Sequence, residues 1–194
     1  MKLKKFEGNP ILSPTDANDW ESLVTCNPGV IYDDGTFYML YRAAGNDAEH
    51  VIRLGLATSK DGFHFERVSD MPAFGPSEDG PDSGCVEDPR IVKYDTEYYI
   101  TYAYRPYSPG QYWNFGHDEI LLPECGSDAP MALRKNLGNT GLAVTTDFRE
   151  FKRLGRLTSP VLDDRDVILF PEKVQGKYVM LHRPKEYIGG EYGV

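Results

Sequence analysis

The chain has 194 residues, of which 40% are hydrophobic and 12% aromatic, enough for one domain with a sizeable core. Its formal net charge of -9 argues against a nucleic acid or an anionic membrane as partner, because both are themselves negative. Nineteen glycines, 14 prolines and 13 tyrosines favour strands and tight turns over long helices. We therefore expect a single all-β domain over residues 1–194.

Cysteine usage and hydropathy indicate a cytoplasmic protein. Cys26, Cys85 and Cys125 are odd in number and lack metal or redox spacing, so we expect free thiols in a reducing compartment. No apolar run of signal-peptide type follows the basic N-terminus, and no stretch approaches the ~20 apolar residues of a membrane span. The 4 histidines also lack ligand spacing, so we expect no metal ion.

The first part of the chain predicts a unit of four strands. A short helical turn near residues 19–23 comes before them. Residues 30–32 and 37–42 are apolar and aromatic stretches on either side of a hairpin-type turn, which is typical of two paired strands. Residues 52–58 and 63–68, again separated by a turn, predict the third and fourth strands.

This unit recurs along the chain. Asn27-Pro28 has a counterpart in Asp88-Pro89, 61 residues later (88 − 27), and Tyr41 has one in Tyr102 at the same spacing. The third and fourth strands recur 86 residues later (141 − 55), with the extra residues in the loop between the second and third strands. A third unit is predicted to begin at Phe170-Pro171.

A four-stranded unit that repeats in this way is the signature of a β-propeller, in which each repeat is one blade. We expect inner strands near 29–32, 89–94 and 171–174 to converge on one axis. About three blades cannot close a ring, so we expect the chain to be truncated at its C-terminal end. An open all-β sandwich with accidental internal similarity is the alternative.

Two adjacent carboxylates, Glu87 and Asp88, precede Pro89 and Arg90 where the second unit begins. Proline fixes its own φ and favours an extended conformation for the residue before it. A stiff turn at the start of a strand suits an acid that must be aimed, but a turn with solvated or paired side chains has the same pattern. Glu87 is expected to pair with Arg90 or to support the site from behind.

The long loop between Arg105 and Asn139 carries aromatic side chains at 113–118. Loops of this length in compact domains are commonly functional or disordered. Its aromatic residues suit stacking on a sugar face, and packing among themselves is an equal alternative.

Three stretches, taken in order, resemble glycoside hydrolase family 130 over most of the chain. They are Gly84-Cys85-Val86-Glu87-Asp88-Pro89-Arg90, Asn139-Thr140-Gly141-Leu142-Ala143, and Phe170-Pro171-Glu172-Lys173 together with Tyr178-Val179-Met180-Leu181-His182-Arg183-Pro184. The resemblance implies an inverting β-mannoside phosphorylase on a five-bladed propeller, of which the last two blades are absent here. It implies inorganic phosphate as co-substrate and no other cofactor.

The resemblance also implies residue roles. Asp88 matches the general acid, and Asn27 and Arg42 match positions that contact the sugar in the cleavage subsite. Lys173 matches a phosphate ligand, with His182-Arg183 in the strand beside it.

A phosphorylase needs one acid and, opposite it, a cationic wall, because phosphate is already a nucleophile. The candidate cations are Lys135, Arg165, Lys173, His182 and Arg183. With Glu87 and Arg90 added to the sugar-contacting set, these residues form the predicted site. For Lys135 and Arg165, a solvated surface role is an equal alternative.

The function that the resemblance implies first is phosphorolysis of 4-O-β-D-mannosyl-D-glucose with release of α-mannose 1-phosphate. The alternatives are a β-1,4-manno-oligosaccharide phosphorylase, a mannoside hydrolase on the same scaffold, and a carbohydrate-binding fragment without catalysis. The expected partners are a β-mannoside and phosphate, without nucleic acid or membrane, and a homo-oligomer is compatible with the sequence.

Overall fold

The computed structural model describes residues 2–111, 120, 122–188 and 191–193, and these residues form an all-β fold. The predicted helical turn is confirmed as a 3-10 helix, Asp19–Glu21. Among the described residues, the other helix is the single turn α1, Met131–Arg134. None of the helices described is long and apolar enough to cross a membrane. The aromatic stretch 113–118 lies outside the described residues.

The first sheet contains the four predicted strands in sequence order. They are β1 (Val24–Asp33), β2 (Thr36–Ala44), β3 (Arg53–Ser59) and β4 (Glu66–Arg67), each antiparallel to the next. Apolar and aromatic stretches on either side of a two-residue turn explain why the first hairpin forms here. The fourth strand is shorter than the predicted 63–68.

The second sheet repeats this arrangement. Its strands are β5 (Cys85–Tyr94), β6 (Glu97–Arg105), β7 (Asn139–Thr145) and β8 (Lys152–Arg156), again a four-stranded antiparallel meander. The two sheets confirm the repeated unit, and both inner strands begin earlier than predicted. The long loop of the second unit lies between β6 and β7, where the spacing of the two repeats in the sequence predicts the extra residues.

The third unit begins earlier than the sequence indicates. Its first strand is β9 (Asp164–Leu169), which pairs with β10 (Met180–Pro184), so the predicted inner strand at 171–174 is wrong. Pro171 lacks a backbone N–H for a ladder, and it follows the end of the strand. A small hairpin, β11 (Glu186–Ile188) and β12 (Glu191–Gly193), follows.

Each of the three inner strands carries a bulge in the same place. The pairing shifts after Cys26 in β1 and after Glu87 in β5, and the β9–β10 pair shifts at the corresponding point. The bulged residues are Asn27, Asp88 and Asp166, with φ of 44°, 53° and 62°. The extended conformation expected for Asp88 is therefore wrong, because the bulge overrides the preference that the following proline imposes.

The inner strands pack side by side. A Cβ on Gly29 of β1 would lie 2.7 Å from the carbonyl oxygen of Pro89, so only glycine allows this approach. Thr101 of β6 donates to the carbonyl of Val167 in β9 at 2.7 Å. Two four-stranded blades and a third, two-stranded sheet thus lie in sequence around one axis, as in a β-propeller.

The core lies largely between the first two blades. One buried cluster joins Leu54 of β3 to Val86 and Tyr102 of the second blade. Another joins Leu40 of β2 to Ile100 of β6. Burial of apolar surface between blades, at roughly 25 cal/mol per Å², holds neighbouring repeats together.

In each of the first two blades, a buried carboxylate accepts hydrogen bonds from a tyrosine and an arginine on different strands, an arrangement that we call the clasp. In the first, Tyr41 donates to Glu21 at 2.9 Å and Arg67 of β4 donates to the same carboxylate at 2.9 Å. In the second, Tyr102 donates to Asp82 at 3.0 Å and Arg153 of β8 at 2.7 Å. The recurring tyrosine noted in the sequence therefore joins the second strand of each blade to its fourth.

Candidate functional site

Asp88 stands at the bulge of β5 and is held from the first blade. Its Oδ1 accepts a hydrogen bond from Nδ2 of Asn27 at 2.9 Å and another from Nη1 of Arg42 at 3.2 Å. The Asp88 side chain is 17% exposed. The bulge turns Asn27 and Asp88 toward each other, and two donors on one oxygen fix the direction of the carboxyl group.

Glu87 precedes Asp88, and its side chain meets three guanidinium groups. Its Oε2 lies 2.7 Å from Nη1 of Arg42, and its Oε1 lies 3.8 Å from Nε of Arg105 and 3.9 Å from Nη1 of Arg165. Burial opposes the charge of Arg42, but the neighbouring carboxylates of Glu87 and Asp88 outweigh it and raise the pKa of Arg42. The guanidinium thus remains charged.

Arg90 does not pair with Glu87 as one of the sequence-based alternatives held. Its Nη1 donates to the carbonyl of Pro89 at 2.9 Å, and its Nη2 lies 3.9 Å from Oδ1 of Asp166. Asp166 also accepts from Arg183 at 2.5 Å. Arg90 and Arg183 therefore share the bulged carboxylate of the third sheet.

Glu87 and its three arginine partners line a cavity of about 180 Å³. Burial lowers the pKa of His50, so at pH 7 its ring adds no charge there. Among the described residues, the charged members of the wall are three arginines and one glutamate, which suits an anion. The lining residues are Arg42, His50, Ile52, Glu87, Arg105, Pro109, Ile120 and Arg165.

Two of the predicted phosphate ligands stand apart from this cavity. Nζ of Lys173 lies 4.6 Å from the ring centre of Tyr178, which packs against Tyr94. Tyr94 ends β5, whereas Asp88 lies near its start, a separation of about 20 Å at ~3.3 Å per residue. Lys135 is exposed at the C-terminal end of α1. Their roles as phosphate ligands stay predictions.

The other predicted cations have acidic partners. Nδ1 of His182 lies 2.8 Å from Oδ2 of the buried Asp164. Nε of Arg165 donates to Asp163 at 2.9 Å while its Nη1 approaches Glu87. Of the five predicted phosphate ligands, Arg165 lines the cavity.

Sequence reasoning missed Arg105, His50 and Asp166. Arg105 is the last residue of β6. Because side chains alternate between the two faces of a strand, it lies on the same face as Ala103, and this alternation is the signal that could have indicated it. Asp166 would have been found by aligning the third unit on its bulge instead of on its proline. His50 has a φ of 49° in the loop before β3, and no sequence pattern marks it.

Comparisons of the sequence with known proteins indicate one family. The sequence model of Glyco_hydro_130, described as beta-1,4-mannooligosaccharide phosphorylase, matches residues 2–113. The 1,2-beta-oligomannan phosphorylase of Thermoanaerobacter sp. (strain X514) is 35% identical over 193 residues, covering 94% of this chain and 54% of that protein. The beta-1,2-mannobiose phosphorylase of the same organism is 30% identical, with 94% and 55% covered.

The chain spans about half the length of the curated relatives it matches. Among solved structures, the beta-1,2-mannobiose phosphorylase from Listeria innocua, in complex with beta-1,2-mannobiose, aligns with a TM-score of 0.66. The alignment covers 95% of this chain and 59% of that one at 21% sequence identity, so it supports the fold alone.

Proposed function

We propose, from the premise that this chain belongs to glycoside hydrolase family 130, that the intact protein cleaves β-mannosidic bonds with inorganic phosphate. The names of the relatives support this reaction class. The observation that carries the proposal is the Asp88 carboxyl group, which Asn27 and Arg42 hold beside a cavity lined by three arginines.

Asp88 is the proposed general acid. Because both donors from the first blade engage Oδ1, the proton is assigned to Oδ2. A phosphate oxygen attacks the anomeric carbon of the mannosyl unit, and the bond to the leaving oxygen breaks. The Asp88 proton passes to that oxygen, directly or through a sugar hydroxyl. Attack from the face opposite the leaving group inverts the centre and releases α-mannose 1-phosphate.

The arginines favour phosphate over water as the nucleophile. An inverting hydrolase needs a second carboxylate as base, ~6.5–9.5 Å from the acid. Glu87 is close in sequence, but it is 3% exposed and already surrounded by guanidinium groups, which keep it from acting as a base. Arg42, Arg105 and Arg165 instead suit the oxygens of an incoming phosphate.

The remaining residue roles follow from position. Asn27 and Arg42 are proposed to contact the mannosyl unit beside Asp88, and Arg165 to contact phosphate. Arg90 and Arg183 bracket Asp166 and are proposed to line the approach to the cavity. Lys173 and His182 are proposed as phosphate ligands on the resemblance, and Lys135 on its charge alone, although none of the three lines this cavity.

Two linkages are candidates for the substrate. The relatives at 35% and 30% identity are named for β-1,2-linked mannosides. A relative named 4-O-beta-D-mannosyl-D-glucose phosphorylase, from Bacteroides fragilis, is 29% identical over 164 residues. We therefore propose a β-1,2-mannoside as the first candidate and 4-O-β-D-mannosyl-D-glucose, which the sequence motifs favour, as the second.

The test is phosphorolysis by the intact protein. Each disaccharide is incubated with and without phosphate, and sugar phosphate is followed by ³¹P NMR, which also gives its anomeric form. We expect α-mannose 1-phosphate from one disaccharide and turnover that depends on phosphate. Equal release of free mannose without phosphate would support a hydrolase, and tight sugar binding without turnover would support a binding protein.

A further inference from the structure

We propose that Glu87 is a positioning residue, which holds Arg42, Arg105 and Arg165 in the arrangement that receives phosphate and limits the pull of Arg42 on Asp88. This inference rests on the proposed function of the same site. It differs from the direct sugar contact that the sequence suggested for Glu87, because the side chain is buried behind guanidinium groups.

The three arginines come from three different sheets. Arg42 lies on β2 of the first blade, Arg105 on β6 of the second and Arg165 on β9 of the third. Within the part of the chain that the structure describes, Glu87 is the carboxylate within 4 Å of all three. Its Oε2 faces Arg42, and its Oε1 faces Arg105 and Arg165. One side chain therefore contacts guanidinium groups on three separate sheets, in addition to the bonds that Arg105 donates to the carbonyl of Asn136 and Arg165 donates to Asp163.

Charge balance makes this arrangement dependent on Glu87. Three guanidinium groups around a cavity of about 180 Å³ repel one another, and partial burial strengthens that repulsion. A carboxylate among them offsets that repulsion. Its removal leaves Arg42 paired with Asp88 and Arg165 paired with Asp163, and it leaves Arg105 without an ion pair among the described residues. Without Glu87, we expect the arginines to separate and the cavity to lose its geometry.

Arg42 connects Glu87 to the proposed acid. Its Nη1 lies 2.7 Å from Glu87 and 3.2 Å from Asp88, so the negative charge of Glu87 offsets the positive potential that Arg42 exerts at Asp88. If Glu87 becomes neutral, Arg42 and its neighbours favour the ionised form of Asp88 more strongly. Fewer molecules then carry the catalytic proton at a given pH, and the alkaline limb of the rate profile moves to lower pH.

The pH profile of the rate also depends on the other charged and titratable groups near Glu87. They are Arg42, Arg105 and Arg165 from the three sheets, Asp88 beside it in β5, and Cys26, Cys85 and His50 nearby. Burial raises the pKa of Cys26 and of Cys85 and lowers that of His50, so these three groups are neutral at pH 7.

Glu21 provides a matched control within the chain. It is also a fully buried glutamate, and it also receives an arginine, Arg67 at 2.9 Å. Its other partner is Tyr41 in the clasp of the first blade, and neither it nor Arg67 lines the cavity. Loss of this carboxylate tests the general cost of removing a buried glutamate.

The experiment compares Glu87→Gln, Glu87→Asp and Glu21→Gln in the intact protein. Half-saturation for phosphate, half-saturation for sugar, kcat, the pH profile and thermal unfolding are measured for each. We expect Glu87→Gln to raise half-saturation for phosphate by about 10- to 100-fold, as displaced catalytic groups do, with a smaller change for sugar. Its alkaline limb should move to lower pH.

Glu87→Asp keeps the charge and shortens the side chain, so it should restore the pH profile while phosphate binding remains weakened. Glu21→Gln should lower the unfolding temperature and leave both kinetic readouts unchanged. If Glu87→Gln does not fold, Glu87→Asp carries the test through its phosphate half-saturation. Variants of Glu87 that only lose stability, as Glu21→Gln does, would overturn the inference. A wild-type protein without phosphorolysis would instead overturn the proposed function.

Discussion

The first and second blades have the same arrangement of strands, but the side chains at the bulges of their inner strands differ in one heavy atom. Both inner strands bulge at the same position, and the bulged residue is Asn27 in one and Asp88 in the other. The amide nitrogen of Asn27 donates to the carboxylate of Asp88 at 2.9 Å. Repetition of the backbone thus supplies two facing side chains, and we propose that Asn27 holds the group and that Asp88 delivers a proton.

The structural parts of the two blades have changed much less. Each keeps a buried carboxylate bonded to a tyrosine and an arginine, although the acid is Glu21 in one blade and Asp82 in the other. Each also keeps a glycine against the tyrosine ring, Gly55 or Gly141. Positions that hold the blade together are repeated, and positions at the bulge are free to diverge.

Replacing Asp88 by Asn makes the second bulge resemble the first, and we expect the largest effect from this change. Positioned acid–base groups typically contribute about 10²–10⁴-fold to rate, so turnover of the natural mannoside in the intact protein should fall by that factor. A mannosyl fluoride, whose leaving group needs no proton, should be affected far less. Initial rates with both substrates and a circular dichroism spectrum give the comparison.

Asp166→Asn is the matched control for that prediction, because it changes the bulged carboxylate of the third sheet in the same way. It should not discriminate between the natural substrate and the fluoride. Near-normal turnover of the natural substrate by folded Asp88→Asn would move the acid to another residue.

A methyl group on either clasp glycine should destabilise the protein by similar amounts. A Cβ at Gly55 would lie 2.2 Å from the ring of Tyr41, and one at Gly141 would lie 2.5 Å from that of Tyr102. Both rings are buried and bonded to an acid, so neither can move freely. We expect Gly55→Ala and Gly141→Ala each to cost about 1–3 kcal/mol in denaturant unfolding.

Gly75→Ala tests whether the alanine itself is harmful, because the nearest atom to its Cβ would lie 3.9 Å away. Its effect should stay within about 0.5 kcal/mol. A loss in one blade only would show that the two clasps are not equivalent.

The sequence predicted what depends on neighbours along the chain. Apolar and aromatic stretches, turn residues and the repeated unit predicted the eight strands of the first two blades and indicated Asp88 as the candidate acid. It failed where partners are distant. β9 begins with Asp164, Arg165 and Asp166, a charged run that looks like a loop until Thr140 and Arg183 contact it from other strands. The role of Glu87 depends on arginines from three sheets, which no local pattern contains.

The smallest expected difference lies in the turns that follow the third strands. In the first blade Oδ1 of Asp61 accepts the backbone N–H groups of Phe63 at 2.8 Å and His64 at 2.9 Å, and Oδ2 lies 2.7 Å from the His64 ring. In the second, Oδ1 of Asp147 accepts from the N–H of Arg149 at 2.8 Å and of the next residue.

These bonds lower both pKa values, by the ring of His64 first for Asp61 and by the backbone N–H of Arg149 first for Asp147. A carboxyl group with a lowered pKa stabilises the fold above its unfolded pKa of about 3.9, and this contribution is lost as pH falls toward the folded value. Asp61→Asn and Asp147→Asn should therefore lose less stability than wild type when pH falls below about 5. The effect should be larger for Asp61. The ring of His64 bonds to Oδ2 of Asp61 and lowers its pKa, and the bonds that lower the pKa of Asp147 include no such partner. Denaturant unfolding across this pH range measures how stability depends on pH, and a ¹³C-detected NMR titration measures both carboxyl groups directly.

The His64→Ala variant sharpens the comparison, since it should bring the titration of Asp61 toward that of Asp147. An unchanged titration of Asp61 in His64→Ala would mean that the backbone bonds alone stabilise both turns, and that the two blades do not differ here.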